Sequence, residues 1–129
     1  SEVSVKEIEQ AQKTVAIVSV QNLYNLANQK SADVLDYCTK HRLGFIPWFP
    51  LAAGDIARPD GPLDKIAKAH QATLSQLALA WLLQKSPVML PIPGTSRVKH
   101  FEENMGAVNV RLTETEWTDI ARASAGKKT

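Results

Sequence analysis

Residues 70–108 read HQATLSQLALAWLLQKSPVMLPIPGTSRVKHFEENMGAV, and the order of patterns within them decides the fold class. Leu74, Leu77, Ala78, Trp81 and Leu82 recur at the spacing of one buried helical face. Thr73 followed by Gln76 places a capping box at the start of that helix. PVMLPIPG (87–94) is a short apolar run that stops at prolines and a glycine, and Val98 to Gly106 returns to helical spacing. Helix, buried strand, helix is the unit of a parallel β/α fold, whose strands are covered on both faces and so read as nearly continuous apolar runs.

The same alternation extends upstream and downstream. Ser4 with Glu7 predicts a capped helix over SVKEIEQAQKT, and AIVSVQNLYN (16–25) predicts a strand rich in β-branched residues. Ala32 to His41 predicts a helix with Val34, Leu35 and Cys38 on one side and Gly44 as its terminator. FIPWFPLAAG (45–54) predicts a second strand that prolines break into a loop, and GDIARPDGP a turn-rich connection. Leu63, Ile66 and Ala67 open a helix that stops near His70 and Gln71, while Thr113 with Glu116 caps a last one, TEWTDIARASAG. Three strands are fewer than a complete doubly wound domain offers, and the chain opens on a helix cap. These features predict a piece of a larger α/β fold, with a small self-contained domain as the alternative.

Composition sets the outer bounds. The 129 residues amount to at most one ordinary domain, and 44% hydrophobic with 22% charged residues suits a globular chain. A net charge of +2 is too small and dispersed to argue for nucleic acid. Cys38 is the sole cysteine, so no intramolecular disulfide forms, and a cytoplasmic location is predicted. No apolar run reaches the length of a membrane span, and SEVSVKEIEQ lacks the pattern of a signal peptide.

In parallel β/α folds ligands collect at the C-terminal ends of the strands. The first such end carries Gln21 and Asn22, and the second Trp48, Phe49, Pro50 and Leu51. The third carries Gly94, Thr95, Ser96 and Arg97, with Lys99 and His100 one turn into the next helix. Hydroxyls, cationic side chains and a helix N-terminus are what a phosphate needs, and Arg97 can add a bidentate contact. Amides, an aromatic ring and an anion site together suit a nucleotide bearing an amide-substituted aromatic ring. Each feature also has a plain reading: Thr95 and Ser96 as helix caps, Trp48 as a core or loop anchor, Gln21 and Asn22 as partners of loop backbone. The coincidence at three strand ends outweighs any one of them. His41 and His70 read as helix C-terminal residues. Glu102 and Glu103 diverge on a helix and form no dyad, and no metal-binding spacing or glycine-rich dinucleotide motif occurs.

The pieces SEVS, VSVQNLYNL, GFIPWFPLAAG, HQATLSQLALAWLLQ and LPIPGTSRVKHFEENMGAV resemble the aldo-keto reductases over essentially the whole chain. That family folds as an eight-stranded β/α barrel and binds NADPH without a glycine-rich loop. The resemblance implies an α/β fold in which residues 1–129 form the C-terminal half of a (β/α)8 TIM barrel, strands six to eight with their helices, as its cofactor-binding part. It implies that Ser1 and Gln21 hold the nicotinamide carboxamide, with Glu2 where relatives carry asparagine. Trp48 would stack on the nicotinamide ring, and Pro50 and Leu51 would run beneath the pyrophosphate. Gly94 stands where many relatives carry lysine. Thr95, Ser96 and Arg97 would surround the 2′-phosphate, His100 stands in place of a frequent arginine, and Glu103 and Asn104 would grip the adenine edge.

The family's catalytic aspartate, tyrosine, lysine and histidine come from the first half of the barrel, and none of the four is assigned here. Neither Tyr24 nor Tyr37 matches the catalytic position. The resemblance therefore implies a parent enzyme that reduces an aldehyde or ketone with NADP as cofactor, this chain supplying cofactor contacts. The alternative is a non-catalytic fragment, or an assembly or regulatory module of the same fold. A small carbonyl substrate, and association with an N-terminal half or with itself through open sheet edges, are the partners implied, with neither nucleic acid nor membrane.

Overall fold

The structure is a computed structural model that describes residues 1–51 and 58–125. The first helix, α1 (Val5–Gln12), begins with the capping box expected of it: the Ser4 hydroxyl accepts from the Glu7 N–H, and the Glu7 carboxylate reaches back to the Ser4 N–H at 2.7 Å. Strand β1 (Ser19–Leu23) leads through a turn at Asn25–Asn28 into α2 (Ala32–His41), and β2 (Gly44–Trp48) returns beside β1. The two strands are parallel, with Val20 opposite Phe45 and Leu23 opposite Trp48. Thus β1, α2 and β2 form one β/α/β unit, the parallel arrangement that the sequence predicts.

Two expectations need correction. Gly44 does not stop α2; it is the first residue of β2 and donates its N–H to Val18 O at 2.9 Å. The stop is made by Arg42, which sits in the left-handed region at φ 57°, so that the following Leu43 N–H returns to Cys38 O at 2.9 Å. The third predicted strand, 87–94, is reduced to a single bridge between Phe45 and Met89. Phe45 N donates to Val88 O and Leu90 N to Phe45 O, each at 2.8 Å, and there the pairing ends. Pro87, Pro91 and Pro93 have no N–H to extend a ladder. The architecture is therefore a mixed α/β fold with a parallel two-stranded sheet and several helices, a partial barrel of the β/α type rather than a closed one. Of the predicted connection over 54–62, residues 54–57 lie outside the described residues, as do the end of the second apolar run and the tail from Gly126.

Among the described residues, further helices follow: α3 (Pro62–Ala69), α4 (Leu74–Lys85), α5 (Val98–Met105), which runs into a 3-10 turn at Gly106–Asn109, and α6 (Glu114–Ala125). The capping boxes at Thr73–Gln76 and Thr113–Glu116 are both formed. One face of the sheet carries Val20, Phe45 and Pro47 into the helical layer, where Cys38, Leu77, Trp81, Leu82 and Ile120 complete the core. Tyr24 stacks on Trp81 at 5.9 Å and meets Phe45 edge-on at 5.8 Å, so aromatic packing welds the end of β1 to α4. Trp117 is half-buried against the same core, and Lys85 Nζ lies 5.1 Å from the Trp81 ring and 5.6 Å from that of Trp117. The opposite face of the sheet, with Gln21, Leu23, Ile46 and Trp48, is half-buried or exposed, and none of the described helices contributes to its burial in the way the other face is covered.

Candidate functional site

Parallel pairing aligns the C-terminal ends of β1 and β2, and the residues just beyond them are held by side-chain amides. Asn22 is buried; its Oδ1 accepts from Val3 N at 3.0 Å and its Nδ2 donates to Val3 O at 2.8 Å. The stretch before α1 is thereby tied to β1, which sets Ser1 and Glu2 beside the sheet end. Asn25, also buried, accepts from Ala27 N and Asn28 N and donates to Phe49 O at 3.0 Å. That bond fixes the turn after β2, where Phe49 has a φ of 56° and Pro50 is buried beneath it. The plain reading of Asn22, as a partner for loop backbone, is what the structure shows.

Gln21 is different. Its backbone carbonyl accepts from Glu2 N at 2.9 Å, but no described residue takes its side-chain amide, which lies on the open face of the sheet. Trp48 lies on that same face at the end of β2 and is 36% exposed, so it is not a core aromatic. Its indole N–H donates to the Glu2 carboxylate. Gln21 and Trp48 thus share one face toward the C-terminal end of the sheet, both bonded to Glu2 next to the exposed Ser1, with Pro50 and Leu51 in the turn that follows.

A second group surrounds the start of α5. A pocket of about 170 Å³ is lined by Leu51, Ser75, Gly94, Thr95, His100, Glu103 and Asn104. An adjoining recess of about 280 Å³ is lined by Thr95, Ser96, Arg97, Val98 and Phe101. Six of the sequence-predicted residues meet in the first pocket, with Leu51 arriving from the β2 turn. Ser75, from the first turn of α4, joins them without a sequence signal of its own; only the packing of α4 on α5 reveals it. That packing is held by Gln76, whose Nε2 donates to Glu103 O at 2.7 Å while its Oε1 completes the Thr73 cap.

The capping alternative for Thr95 resolves in a specific way. Thr95 Oγ1 accepts from Arg97 N at 3.1 Å and stays within its own loop, and among the described residues no side chain caps the first turn of α5. The helix N-terminus therefore keeps free N–H groups beside the exposed Arg97, Lys99 and His100, which is the chemistry of an anion site. Gly94 leaves open space: a Cβ built on it meets nothing within 4 Å.

Neither tyrosine is offered to this region. Tyr24 is 1% exposed, and burial, with a lesser contribution from Asp36, pushes its hydroxyl up to about 12. Tyr37 donates to Gln12 Oε1 at 2.8 Å and stacks on His41, which sits in the last turn of α2. Among the described residues no group of three or more His, Cys, Asp or Glu side chains is placed to hold a metal ion, and no helix is long and apolar enough to cross a membrane.

Known proteins share both sequence and architecture with this chain. An uncharacterized oxidoreductase of Schizosaccharomyces pombe is 51% identical over 113 residues, which cover 88% of this chain and 37% of that protein. Pyridoxine 4-dehydrogenase of Escherichia coli is 40% identical over 114 residues, covering 88% of this chain and 40% of the enzyme. A crystal structure of an aldo/keto reductase from Klebsiella pneumoniae, in complex with NADP and acetate, superposes with a TM-score of 0.84 at 25% identity, covering 98% of this chain and 47% of that one. The chain thus spans less than half the length of these relatives. The sequence pattern of the Aldo/keto reductase family matches residues 1–125, and with it the parallel β/α core acquires its place: this chain belongs to the aldo/keto reductase family.

Proposed function

We propose that residues 1–129 form the cofactor-binding, C-terminal part of an NADPH-dependent reductase that converts an aldehyde or ketone to an alcohol. The observation that carries this reading is the pocket at the start of α5, where Leu51, Gly94, Thr95, His100, Glu103 and Asn104 converge beside an uncapped helix N-terminus. The residues fit such a cofactor. Gln21 offers a free side-chain amide to a carboxamide, and Trp48 an open ring for stacking, with Ser1 beside them. Pro50 and Leu51 carry the chain from that face toward the second group, where Thr95, Ser96, Arg97 and His100 receive a 2′-phosphate, and Glu103 and Asn104 an adenine edge. When bound, the cofactor supplies the hydride. This chain's residues orient it, and the acid that protonates the carbonyl oxygen belongs to barrel strands outside this chain. The NADP in the Klebsiella pneumoniae relative supports the same cofactor class.

The open face of the sheet and an apolar groove of about 390 Å³ between α4 and α5 support packing of this chain against further barrel strands. The exposed Leu90, Phe101, Met105 and Val108 line that groove. The same surface favours the second reading, an assembly module that covers itself with another copy. The buried free thiol of Cys38 accords with a cytoplasmic setting. The test is NADPH consumption by the complete protein with a panel of aldehydes and ketones, alongside its mass in solution. Turnover supports the reductase; saturable NADPH binding or self-association without turnover favours the module.

A further inference from the structure

We propose that Glu2 is a positioning residue that holds the Trp48 indole in the orientation used for stacking, a role that rests on the cofactor reading above. Glu2 Oε1 accepts from Trp48 Nε1 at 2.5 Å and from Leu23 N at 2.6 Å, and the Glu2 N–H donates to Gln21 O at 2.9 Å. Leu23 and Trp48 are register partners, so a single carboxylate bridges the last rung of the sheet. To do so Glu2 adopts a left-handed backbone, φ 50°, an unfavourable conformation for a residue other than glycine. The resemblance gives this position to an asparagine that contacts the carboxamide; in this chain its side chain is engaged by the protein itself.

The need for such a tether follows from where Trp48 sits. It ends a strand on the uncovered face, and its ring contact is with Phe49, tilted at 6.3 Å, itself 63% exposed. Among the described residues, no other ring contact holds the indole in place. A charged acceptor on Nε1 supplies that hold while leaving the ring face open, because the bond lies in the ring plane. Ordering a side chain before a ligand arrives spares that cost at binding, a difference of about two- to tenfold in affinity.

The experiment is a pair of measurements on the complete protein. In the absence of cofactor, the indole N–H resonance of Trp48, identified by its loss in W48F, is followed in E2A and E2Q. The expected result is an upfield shift and faster solvent exchange in E2A, with substantial recovery in E2Q, whose amide oxygen still accepts. An indole resonance unchanged in E2A overturns the proposal. Should E2A fail to fold, E2D serves in its place, since it keeps the charge but withdraws it by one methylene. In turnover, E2A is expected to raise the KM for NADPH by about two- to tenfold with little change in kcat, and E2Q to restore it. An altered indole signal with an unchanged KM overturns the positioning role. A wild-type protein that does not respond to NADPH overturns the cofactor reading instead, and the indole spectrum still decides the Glu2–Trp48 bond.

Discussion

His70 Nε2 lies 2.8 Å from Glu116 Oε1, which joins the end of α3 to the first turn of α6 across 46 residues of chain. Burial alone would push the Glu116 carboxyl up, but the Thr113 N–H and hydroxyl, together with His70, outweigh it and hold the group below its ordinary value of 4.5. A carboxyl depressed by folding stabilises the fold above its unfolded value, and that contribution disappears as pH falls through the folded one. Stability is therefore expected to fall below about pH 4.5, and E116Q to flatten that part of the profile. Urea unfolding of both forms from pH 7 to pH 3, set by the same linkage argument at roughly these limits, measures the difference. An E116Q profile that keeps the full acid slope refutes the assignment.

Arg42 occupies a left-handed conformation at the end of α2, where glycine carries no Cβ penalty. R42G is expected to stabilise the protein by about 0.5–1 kcal/mol, less whatever entropy the unfolded chain regains. A higher denaturation midpoint at unchanged m-value is the sign to look for.

Gln76 completes the Thr73 cap and also donates to Glu103 O, beside the α5 pocket. Q76A is expected to cost about 1–2 kcal/mol and to weaken NADPH binding through the loosened α5. G106A should act through the same group, because a Cβ on Gly106 would lie 2.6 Å from Gln76 Nε2. Calorimetry gives the first effect and an NADPH titration the second. The double variant should fall short of the summed losses, since both changes break one contact.

Arg97 is exposed next to the uncapped N-terminus of α5. R97A is expected to weaken NADPH binding by about tenfold while leaving NADH nearly unchanged, because only the former carries the 2′-phosphate. Equal losses for both cofactors would remove Arg97 from the phosphate site.

Cys38 is fully buried, and burial pushes its thiol up from the ordinary value. It should resist alkylation in the native protein and react once the protein is unfolded, as peptide mapping by mass spectrometry would show. Rapid labelling under native conditions would contradict that burial.

The sequence alone determined what depends on neighbours three or four residues apart. The boxes at Ser4–Glu7, Thr73–Gln76 and Thr113–Glu116 were legible because each closes within one helical turn, and the apolar faces of α2, α3 and α4 because helical periodicity is local. The positions of Gln21 and Trp48 on strands were legible too, through alternation of strand and helix, as was that of Thr95 and Arg97 just before a helix. The tertiary structure decided the rest. It reduced 87–94 to a single bridge, because a ladder depends on which N–H groups face a partner strand and three prolines have none. It ended α2 at Arg42 rather than Gly44, because the left-handed residue must be the one that lets Leu43 reach Cys38 O. It brought Ser75 to the α5 pocket and Glu2 to Trp48, partners that no spacing pairs. A contact 46 residues long, such as Glu2 to Trp48, is created by strand register and helix docking, and these are properties of the folded chain as a whole.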